Sequence, residues 1–307
     1  MSAIRLEHTP VMVVQVLEGL AVEPEGIYLD GTFGRGGHAR EVLKKLGPEG
    51  RLLLMDRDPV AIASAQCEFG DDSRVAIRHA DFAELAQWPE TEVGLNGVLF
   101  DLGVSSPQLD DAARGFSFQS EGPLDMRMDP TRGTSAAQWL AAADEQDIAD
   151  VLWRYGEEKM SRRIARAIVE RRGARALTTT RELADLLVRS VGRRERHKHP
   201  ATRTFQALRI QVNDELNALQ RGLEAARMRL KPGGRLAVIS FHSLEDRQVK
   251  QFIRGERAVS VRRGLPVPPA APSALVAIGK AQFAEAAEVA ANPRARSAVL
   301  RIAEKRA

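Results

Sequence analysis

A glycine-rich segment followed by a spaced carboxylate is the feature of this 307-residue sequence that points most directly to chemistry. The segment spans residues 30–38, and Asp56 lies 20 residues beyond Gly36. Glycines allow a tight turn and a close approach of the backbone to a ligand, and a carboxylate at this distance can accept both hydroxyl groups of a ribose. The pattern therefore predicts a site for an adenosine-containing ligand.

Two such ligands fit the pattern. Gly34 and Gly36, followed by Ala39, match the dinucleotide fingerprint, which would make the chain a nicotinamide-dependent oxidoreductase. Asp30 favours the other ligand, S-adenosylmethionine, because a carboxylate repels a pyrophosphate but attracts the ammonium group of this cofactor. We therefore expect S-adenosylmethionine, with Phe82 packing on its adenine.

A second candidate segment, residues 101–108, follows the apolar run at 98–100. Ligands in open α/β sheets bind beyond the carboxyl ends of the strands, so this segment should face the site. The amine of a nucleobase is a poor nucleophile, and transfer of a methyl group to it needs an acceptor for its protons. Asp101 is the candidate for this catalytic role or, equally, for a hydrogen bond to the cofactor.

The apolar pattern predicts the elements that hold these segments in place. Short apolar runs alternate with amphipathic stretches in the N-terminal third of the chain, which is typical of a parallel sheet covered by helices on both faces. Strands are expected at 27–29, 52–55, 75–77, 98–100, 235–240 and 298–303, with a turn at 231–234. Between Ser106 and about Ile210 only helices are expected, with starts at Asp144, Glu157 and Thr180, and a further long helix after Pro200 reaches Leu223.

The predicted fold class is therefore α/β, a Rossmann-like class I methyltransferase sheet with an inserted all-helical domain. Residues 1–106 and 211–307 would form the discontinuous S-adenosylmethionine-binding domain. Residues 107–210 would form the helical insertion, which we expect to recognise RNA.

Charge distribution supports an RNA partner. The net charge is only +4, but between Arg154 and Arg209 sixteen Lys and Arg residues stand against six Asp and Glu. A basic block on an otherwise acidic chain suggests docking of a polyanion, although a solvated helical face would have the same composition. We expect the following arginines to contribute much of the RNA affinity: Arg162, Arg163, Arg166 and Arg171.

Other features narrow the class of protein. A single cysteine, Cys67, rules out a disulfide within the chain and a cysteine-based zinc site, and its helix suggests that it is buried. The start of the chain lacks an apolar signal core, and its apolar runs are too short to span a bilayer. We expect a soluble, cytoplasmic protein without a membrane partner.

Longer blocks of the sequence resemble the bacterial ribosomal RNA small-subunit methyltransferase H family, also called MraW. The blocks are residues 8–11, 30–38, 56–59, 101–108, 114–118, 122–129, 155–158, 201–209, 239–247 and 292–294. Two departures from the family pattern are Gln15, where Glu is usual, and Glu121, where Asp is usual. Gln15 lacks the charge of Glu, so any role of that charge is in doubt.

This resemblance implies N4-methylation of a cytosine in the decoding region of 16S ribosomal RNA, with the small ribosomal subunit as the expected partner. The cofactor contacts that it implies are Gly36, Gly37, His38, Asp56, Phe82, Asp101 and Gln108. A ribosome-assembly factor that binds RNA without needing its chemistry is a third hypothesis beside the two enzymes. The choice between a monomer and a homodimer is left open.

Substrate contacts are expected from residues elsewhere in the chain. Arg203 and Arg294 are candidates for contacts to phosphate, and His242 should line the substrate side of the site because it follows a strand. Trp139 and Phe205 would either stack on a base or pack in a core. No metal is expected, because one histidine beside two acidic residues is a weak signal for a metal site.

Overall fold

The computed structural model describes residues 10–191, 199–255 and 273–307. The first residues of the 8–11 block, part of the basic block and the segment before Ser273 lie outside the described residues. The strands are β1 (Ile27–Asp30), β2 (Arg51–Asp56), β3 (Val75–His79), β4 (Leu95–Asp101), β5 (Leu230–Ser240), β6 (Leu275–Ala277), β7 (Gln282–Phe283) and β8 (Val299–Lys305).

All eight strands belong to one sheet with the order β3-β2-β1-β4-β5-β8-β6, and β7 pairs with β8 beside this path. Strands β1 to β5 are parallel to one another, whereas β8 is antiparallel to β5, β6 and β7. The strand order reverses between β1 and β4, which are direct neighbours. The predicted α/β fold with a Rossmann-like methyltransferase sheet is confirmed.

The helices connect these strands and form the middle of the chain. They are α1 (Val13–Leu20), α2 (Gly37–Lys45), α3 (Pro59–Phe69), α4 (Ser106–Asp110), α5 (Ala136–Ala142), α6 (Glu145–Gly156), α7 (Ser161–Ala174), α8 (Thr180–Val191), α9 (Ala201–Asn213), α10 (Glu215–Arg229), α11 (Ser243–Arg254) and α12 (Ala286–Ala291). Among the described residues, none of these helices combines the length and the apolar character needed to cross a membrane.

Both faces of the sheet are buried. Successive side chains of a strand point to opposite faces, so a strand buried on both sides contributes to two apolar clusters. In β2, Leu52 and Leu54 belong to one apolar cluster, and Leu53 and Met55 belong to another. The uninterrupted apolar run of this strand is thus explained by helices that cover the sheet on both sides.

The chain divides into two compact units. The first comprises the described residues of Met1–Gly103 and Ala218–Ala307, and the second comprises Val104–Asn217. The second unit contains α5 to α9 and has an apolar core of its own, in which Leu140, Leu152 and Ile168 are almost completely buried. Each unit therefore buries apolar side chains independently.

The prediction of one long helix after Pro200 is wrong, because the structure has two helices there, α9 and α10. Asp214 adopts a left-handed conformation with φ 51° and ends α9, and α10 begins at the next residue. The Asn213 side chain accepts from Met128 N at 2.7 Å and donates to Met126 O at 2.7 Å. The end of α9 thus places the Asn213 side chain against the loop at Met126 and Met128. The helical spacing of leucines gave no sign of this end, because it continues from α9 into α10.

Other predicted boundaries also shift. Strand β5 begins at Leu230, and residues 231–234 form an irregularity within it rather than a turn before it. Glu157 does not open a helix but ends α6 with a φ of 50°, so α7 starts at Ser161. The prediction that Cys67 is buried is wrong, because its side chain lies on the exposed face of α3.

Candidate functional site

The loop after β1 lies between the ends of two neighbouring strands. Gly31 N donates to Leu99 O at 3.0 Å, and Phe33 N donates to Met55 O at 3.0 Å. The loop therefore continues the hydrogen bonding of the sheet toward β4 on one side and toward β2 on the other. This is also the point at which the strand order reverses, where open α/β sheets bind their ligands.

Glycines of this loop occupy positions where a side chain would not fit. Gly34 and Gly36 have φ values of 54° and 70°, which L-residues rarely adopt. A Cβ atom on Gly36 would lie 2.7 Å from the Phe33 ring, and one on Gly37 would lie 2.8 Å from Pro10. The predicted cofactor residues Gly36 and Gly37 thus form a closely packed start of α2.

Asp56 lies at the end of β2 beside this loop. Its Oδ2 atom accepts from Gly34 N at 2.8 Å, and its Oδ1 atom accepts from Asp58 N at 2.8 Å. Burial raises the pKa of Asp56 to about 6. Carboxylate oxygens have more than one lone pair each, so the two backbone bonds leave acceptor capacity for a ribose.

Asp30, the last residue of β1, is almost completely buried. Its Oδ1 atom accepts from Thr32 N at 3.0 Å. Burial raises the pKa of Asp30 to about 6, with His38 opposing this rise and the carboxylates of Asp101 and Asp56 adding to it. The three strand ends thus bring three carboxyl groups close enough to influence one another.

His38 and Asp101 meet at the same edge of the sheet. Nε2 of His38 lies 3.6 Å from Oδ2 of Asp101, and the side chains are 6% and 27% exposed. Among the described residues, neither ring nitrogen of His38 nor Oδ1 of Asp101 has a hydrogen-bond partner. Burial works to lower the pKa of His38, but the neighbouring Asp101 carboxylate outweighs it, so the pKa is raised.

Thr32 is a residue that the sequence analysis missed. Asp101 N donates to Thr32 Oγ1 at 2.6 Å, so this hydroxyl joins the loop after β1 to the end of β4. The spacing of Asp30 and Thr32, two residues apart, is a known signal for a side chain that binds nearby backbone. That signal could have indicated the local turn, but not the bond to Asp101, which is distant in sequence.

Phe82 follows β3 and packs against the core beside the site. Its ring centroid lies 4.7 Å from that of Phe100. A Cβ atom on Gly222 would lie 2.4 Å from a carbon of the Phe82 ring, so the two residues are closely packed. The side chain remains partly exposed. Nearby, Arg57 and Asp81 form an ion pair at 3.3 Å. Contact of Phe82 with an adenine stays a prediction.

His242 caps the start of α11. Glu245 Oε2 accepts from Phe241 N at 2.8 Å and from His242 N at 3.2 Å, and His242 Nε2 lies 3.2 Å from Glu245 Oε1. Asp246 instead pairs with Arg301 at 2.6 Å. The carboxylates of Glu245 and Asp246 thus have local partners, whereas His242 Nε2 is buried and has no hydrogen-bond partner within the described residues. The expectation that no metal binds here stays a prediction.

The remaining predicted polar contact residues lie in different parts of the chain. Gln108 is buried in α4, where its Oε1 atom accepts from Ser105 N at 2.9 Å and caps the helix. Arg203 is half-buried on α9 of the second unit. Arg294 belongs to the first unit and is exposed in the turn that precedes β8. Their contacts with cofactor or RNA stay predictions.

The two aromatic candidates for base stacking pack within the second unit. Phe205 is buried in its core and packs against Phe118, with ring centroids 5.1 Å apart. Trp139 is partly buried against the same core. Phe205 is therefore a core residue, whereas Trp139 packs against that core with part of its side chain exposed, and its stacking on a base stays a prediction.

The basic helix α7 has an exposed side and a structural side. Arg162, Arg163 and Arg166 are exposed. Arg171, in contrast, is half-buried and lies 3.5 Å from Glu182, whose pKa is lowered by backbone hydrogen bonds from Thr178 and by nearby arginine charge. The first three arginines are therefore accessible to a partner, although Arg166 also lies 3.8 Å from Glu145 in an exposed ion pair. Arg171 contributes to the internal structure of the unit.

This sheet order, with its glycine loop and three carboxylates at the switch point, defines a Rossmann-like class I methyltransferase. The chain belongs to the MraW methylase family, whose model matches residues 5–306. S-adenosylmethionine is the cofactor to which the family and the fold point.

Curated relatives cover nearly the whole chain. It is 62% identical to "Ribosomal RNA small subunit methyltransferase H" of Stenotrophomonas maltophilia (strain K279a), over 97% of this chain and 93% of that protein. It is 60% identical to the protein of the same name in Xanthomonas euvesicatoria pv. vesicatoria (strain 85-10), over 97% of this chain and 88% of that protein. Among solved structures it is similar to an rRNA methylase from Streptococcus thermophilus, with 11% identity, a TM-score of 0.44 and 95% of each chain covered.

Proposed function

We propose that this chain transfers a methyl group from S-adenosylmethionine to N4 of a cytosine in 16S ribosomal RNA. We take the target from the family resemblance, which implies the decoding-centre cytosine at position 1402, and we infer that the substrate is the small ribosomal subunit in the cytoplasm. Support for the RNA comes from relatives at about 60% identity, which are named as small-subunit RNA methyltransferases. The observation that carries the chemistry is the group of carboxylates around Asp101 at the switch point.

The residues at the switch point fit S-adenosylmethionine. This cofactor has a sulfonium and an ammonium group, both positive, and a ribose diol, and when bound it supplies an electrophilic methyl group. Asp30 and Asp101 provide negative charge for the cationic groups, and Asp56 provides acceptors for the diol. The unpartnered Oδ1 of Asp101 is an acceptor that a ligand or a substrate amine can satisfy.

A nicotinamide dinucleotide fits the same loop less well. Dinucleotide sites use backbone N–H groups of the glycine loop to bind the pyrophosphate. Here Gly34 N–H already donates to the Asp56 carboxylate. Asp30 and Asp101 would also repel the phosphates, since both lie at adjacent strand ends. These contacts favour the methyl donor over an oxidoreductase cofactor.

Asp101 is the proposed catalytic residue. The N4 amine of cytosine shares its lone pair with the ring, so an acceptor that binds its N–H makes the nitrogen more nucleophilic. Oδ1 of Asp101 has this capacity, and the attachment of its backbone to Thr32 fixes the position of the side chain. Precise placement of the amine in line with the S–CH₃ bond would provide the rest of the rate enhancement.

The exposed arginines of α7 are the proposed RNA surface. Arg162, Arg163 and Arg166 lie on one helix of the second unit, at spacings that leave all three side chains in solvent. Such side chains neutralise phosphates and give affinity that falls with salt. Arg203 and Arg294 are proposed as further phosphate contacts, and His242 as a residue on the substrate side.

The test is methyl transfer from labelled S-adenosylmethionine to small subunits purified from a strain that lacks the gene. Free 16S RNA serves as the second substrate, and the labelled nucleoside is identified by mass. Asp101→Ala is compared with Asp71→Ala, which removes an exposed carboxylate from the same unit. Binding of the cofactor is measured for each protein by calorimetry.

We expect N4-methylcytidine with wild type and Asp71→Ala but not with Asp101→Ala. Cofactor binding without transfer to either RNA would contradict the proposed substrate. Binding of RNA in the absence of any transfer by wild type would instead support an assembly factor. Binding of NADH in place of S-adenosylmethionine would revive the oxidoreductase hypothesis.

A further inference from the structure

His38 is buried without satisfying either of its ring nitrogens. It is the second residue of α2 and is 5% exposed, and within the described part of the chain Nδ1 and Nε2 both lack a hydrogen-bond partner. A buried imidazole in this condition is unfavourable compared with an apolar side chain of similar size. Apolar packing alone therefore does not explain why a histidine occupies this position.

Asp101 is a group that could satisfy His38. Oδ2 of Asp101 lies 3.6 Å from Nε2, slightly beyond a hydrogen bond, so a small rotation of either side chain closes the gap. Catalytic hydrogen bonds are often long before the ligands bind. Asp101 Oδ1, the other oxygen, is buried and has no partner among the described residues. The two side chains therefore complement each other.

The backbone of Asp101 is fixed, so its side chain can be oriented by a single further contact. Its N–H donates to Thr32 Oγ1 at 2.6 Å, and the residue is in register with Ile239 of β5. Rotation about the side-chain bonds is the remaining freedom. A hydrogen bond to Oδ2 would remove that freedom and determine where Oδ1 points.

The charges around His38 favour a donor at this position. Asp101 from β4, Asp30 from β1 and Glu288 from α12 all act on it electrostatically. Glu288 is itself held in place by accepting from Met12 N at 2.7 Å. Burial disfavours the imidazolium, but these carboxylates outweigh it and raise the pKa of His38. These carboxylates therefore favour the protonated form of the ring, which donates hydrogen bonds.

We propose that His38 is a positioning residue for methyl transfer, whose Nε2–H binds Asp101 Oδ2 and so directs Oδ1 to the acceptor amine. This inference rests on the proposed function. The amine nitrogen forms a bond to the methyl carbon as the S–C bond breaks, and that electron pair stays on sulfur. The amine proton passes to Asp101 Oδ1 and is released to solvent after the products dissociate, since the Asp101 side chain as a whole is partly exposed.

The experiment compares single-turnover methyl transfer by wild type, His38→Leu and His38→Gln across pH at saturating donor. Leu removes the donor, whereas Gln keeps an N–H but carries no charge. With His38→Leu we expect a rate loss of about tenfold or more and an acidic limb moved to higher pH. With His38→Gln the rate should recover in large part. Dissociation constants for the donor are measured in parallel to separate binding from the chemical step.

A double-variant comparison makes the test specific to Asp101. In an Asp101→Asn background, replacing His38 by Leu should cause little further loss of the residual rate, because both changes act on one interaction. The proposal is overturned if His38→Leu weakens donor binding alone and leaves the pH profile unchanged. It is also overturned if the effects of the two substitutions are fully additive. Failure of wild type itself to transfer methyl would count against the proposed function instead.

Discussion

The backbone amide of Asp101 donates to the hydroxyl oxygen of Thr32 at 2.6 Å. Thr32 is bound in turn through its own amide to Asp30, at 3.0 Å. A short chain of hydrogen bonds thus runs from the end of β1 through the glycine loop to the end of β4. It couples the geometry of the cofactor loop to the position of the proposed catalytic carboxylate.

Substitution of Thr32 tests this coupling directly. Thr32→Val keeps the shape of the side chain but leaves the amide of Asp101 without its acceptor, which should cost about 1–3 kcal/mol of stability. Thr32→Ser retains the hydroxyl and should stay close to wild type. Denaturant unfolding measures the stability, and the methyl-transfer assay should show a larger loss for Val than for Ser. Equal behaviour of Val and Ser would contradict the coupling.

The buried carboxyl of Asp30 should make stability depend on pH. Burial raises its pKa from 3.8 to about 6 in the folded state, so between these values the folded chain holds a proton that the unfolded chain has lost. Its contribution is therefore most favourable below about 4 and is lost as the pH rises through 6. Asp30→Asn, which cannot ionise, should be more stable than wild type at pH 8 by up to about 3 kcal/mol.

The advantage of Asp30→Asn should shrink as the pH is lowered toward 4, and its affinity for the cationic donor should fall. Unfolding curves at several pH values, with no cofactor present, measure the first effect, and calorimetry measures the second. Asp71→Asn is the matched control, since Asp71 is exposed in the same unit. A pH dependence identical in wild type and Asp30→Asn would refute the assignment.

Two glycines allow backbone strain to be separated from steric overlap. Gly36 and Gly133 have nearly the same φ, 70° and 71°. A Cβ on Gly36 would lie 2.7 Å from the Phe33 ring, whereas no described atom lies within 4 Å of a Cβ on Gly133. Gly133→Ala should therefore cost only the left-handed backbone, about 1–2 kcal/mol.

Gly36→Ala should cost more than this and should also weaken donor binding, because the loop must shift to relieve the overlap. Thermal or denaturant unfolding of the two variants gives the comparison, and calorimetry gives donor affinity. If the two variants lose the same stability, close packing at Gly36 does not constrain the loop.

The exposed arginines of α7 should contribute to RNA affinity in a salt-dependent manner. Changing Arg162, Arg163 and Arg166 together to Ala removes three positive charges from the exposed side of the helix. The slope of log affinity against log salt should become shallower by about 0.7–0.9 for each phosphate that these side chains no longer neutralise. Filter binding to 16S RNA at several salt concentrations measures this slope.

A matched triple variant controls for net charge. Lys45, Arg254 and Lys280 are exposed residues of the first unit, and their replacement by Ala changes the charge by the same amount. We expect this control to leave most of the salt slope in place. Equal reductions of the slope in the two triple variants would mean that the affinity comes from net charge and not from α7.

The central strands could be predicted because they contain short apolar runs with turn residues between them, such as residues 52–55 in β2 and residues 98–100 in β4. The break after Asn213 could not, because the leucine spacing of the flanking helices continues across it and the reason lies in a loop near Met126. Likewise, Glu157 ends α6 with a φ of 50° although it is not a glycine, so its residue type did not indicate a helix end.

Within the candidate site, the sequence indicated which residues lie at strand ends but not which of their atoms remain unpaired. Gly36, Asp56 and Asp101 could be placed from spacing, since parallel strands end at one edge of the sheet. The approach of His38 to Asp101 depends on the packing of α2 against the sheet. That arrangement is a property of tertiary structure, which a single sequence does not express as a local pattern.

Strands β4 and β5 are hydrogen-bonded neighbours, although residues 102–229 separate them along the chain. The centre of the sheet therefore pairs only after a very long excursion of the polypeptide, and such nonlocal pairing slows folding. Because the helices of the excursion bury a core of their own, their early collapse would shorten the distance that the chain must search. We therefore expect the local helices to form first and the central strand pair, with the switch-point site beside it, to form last.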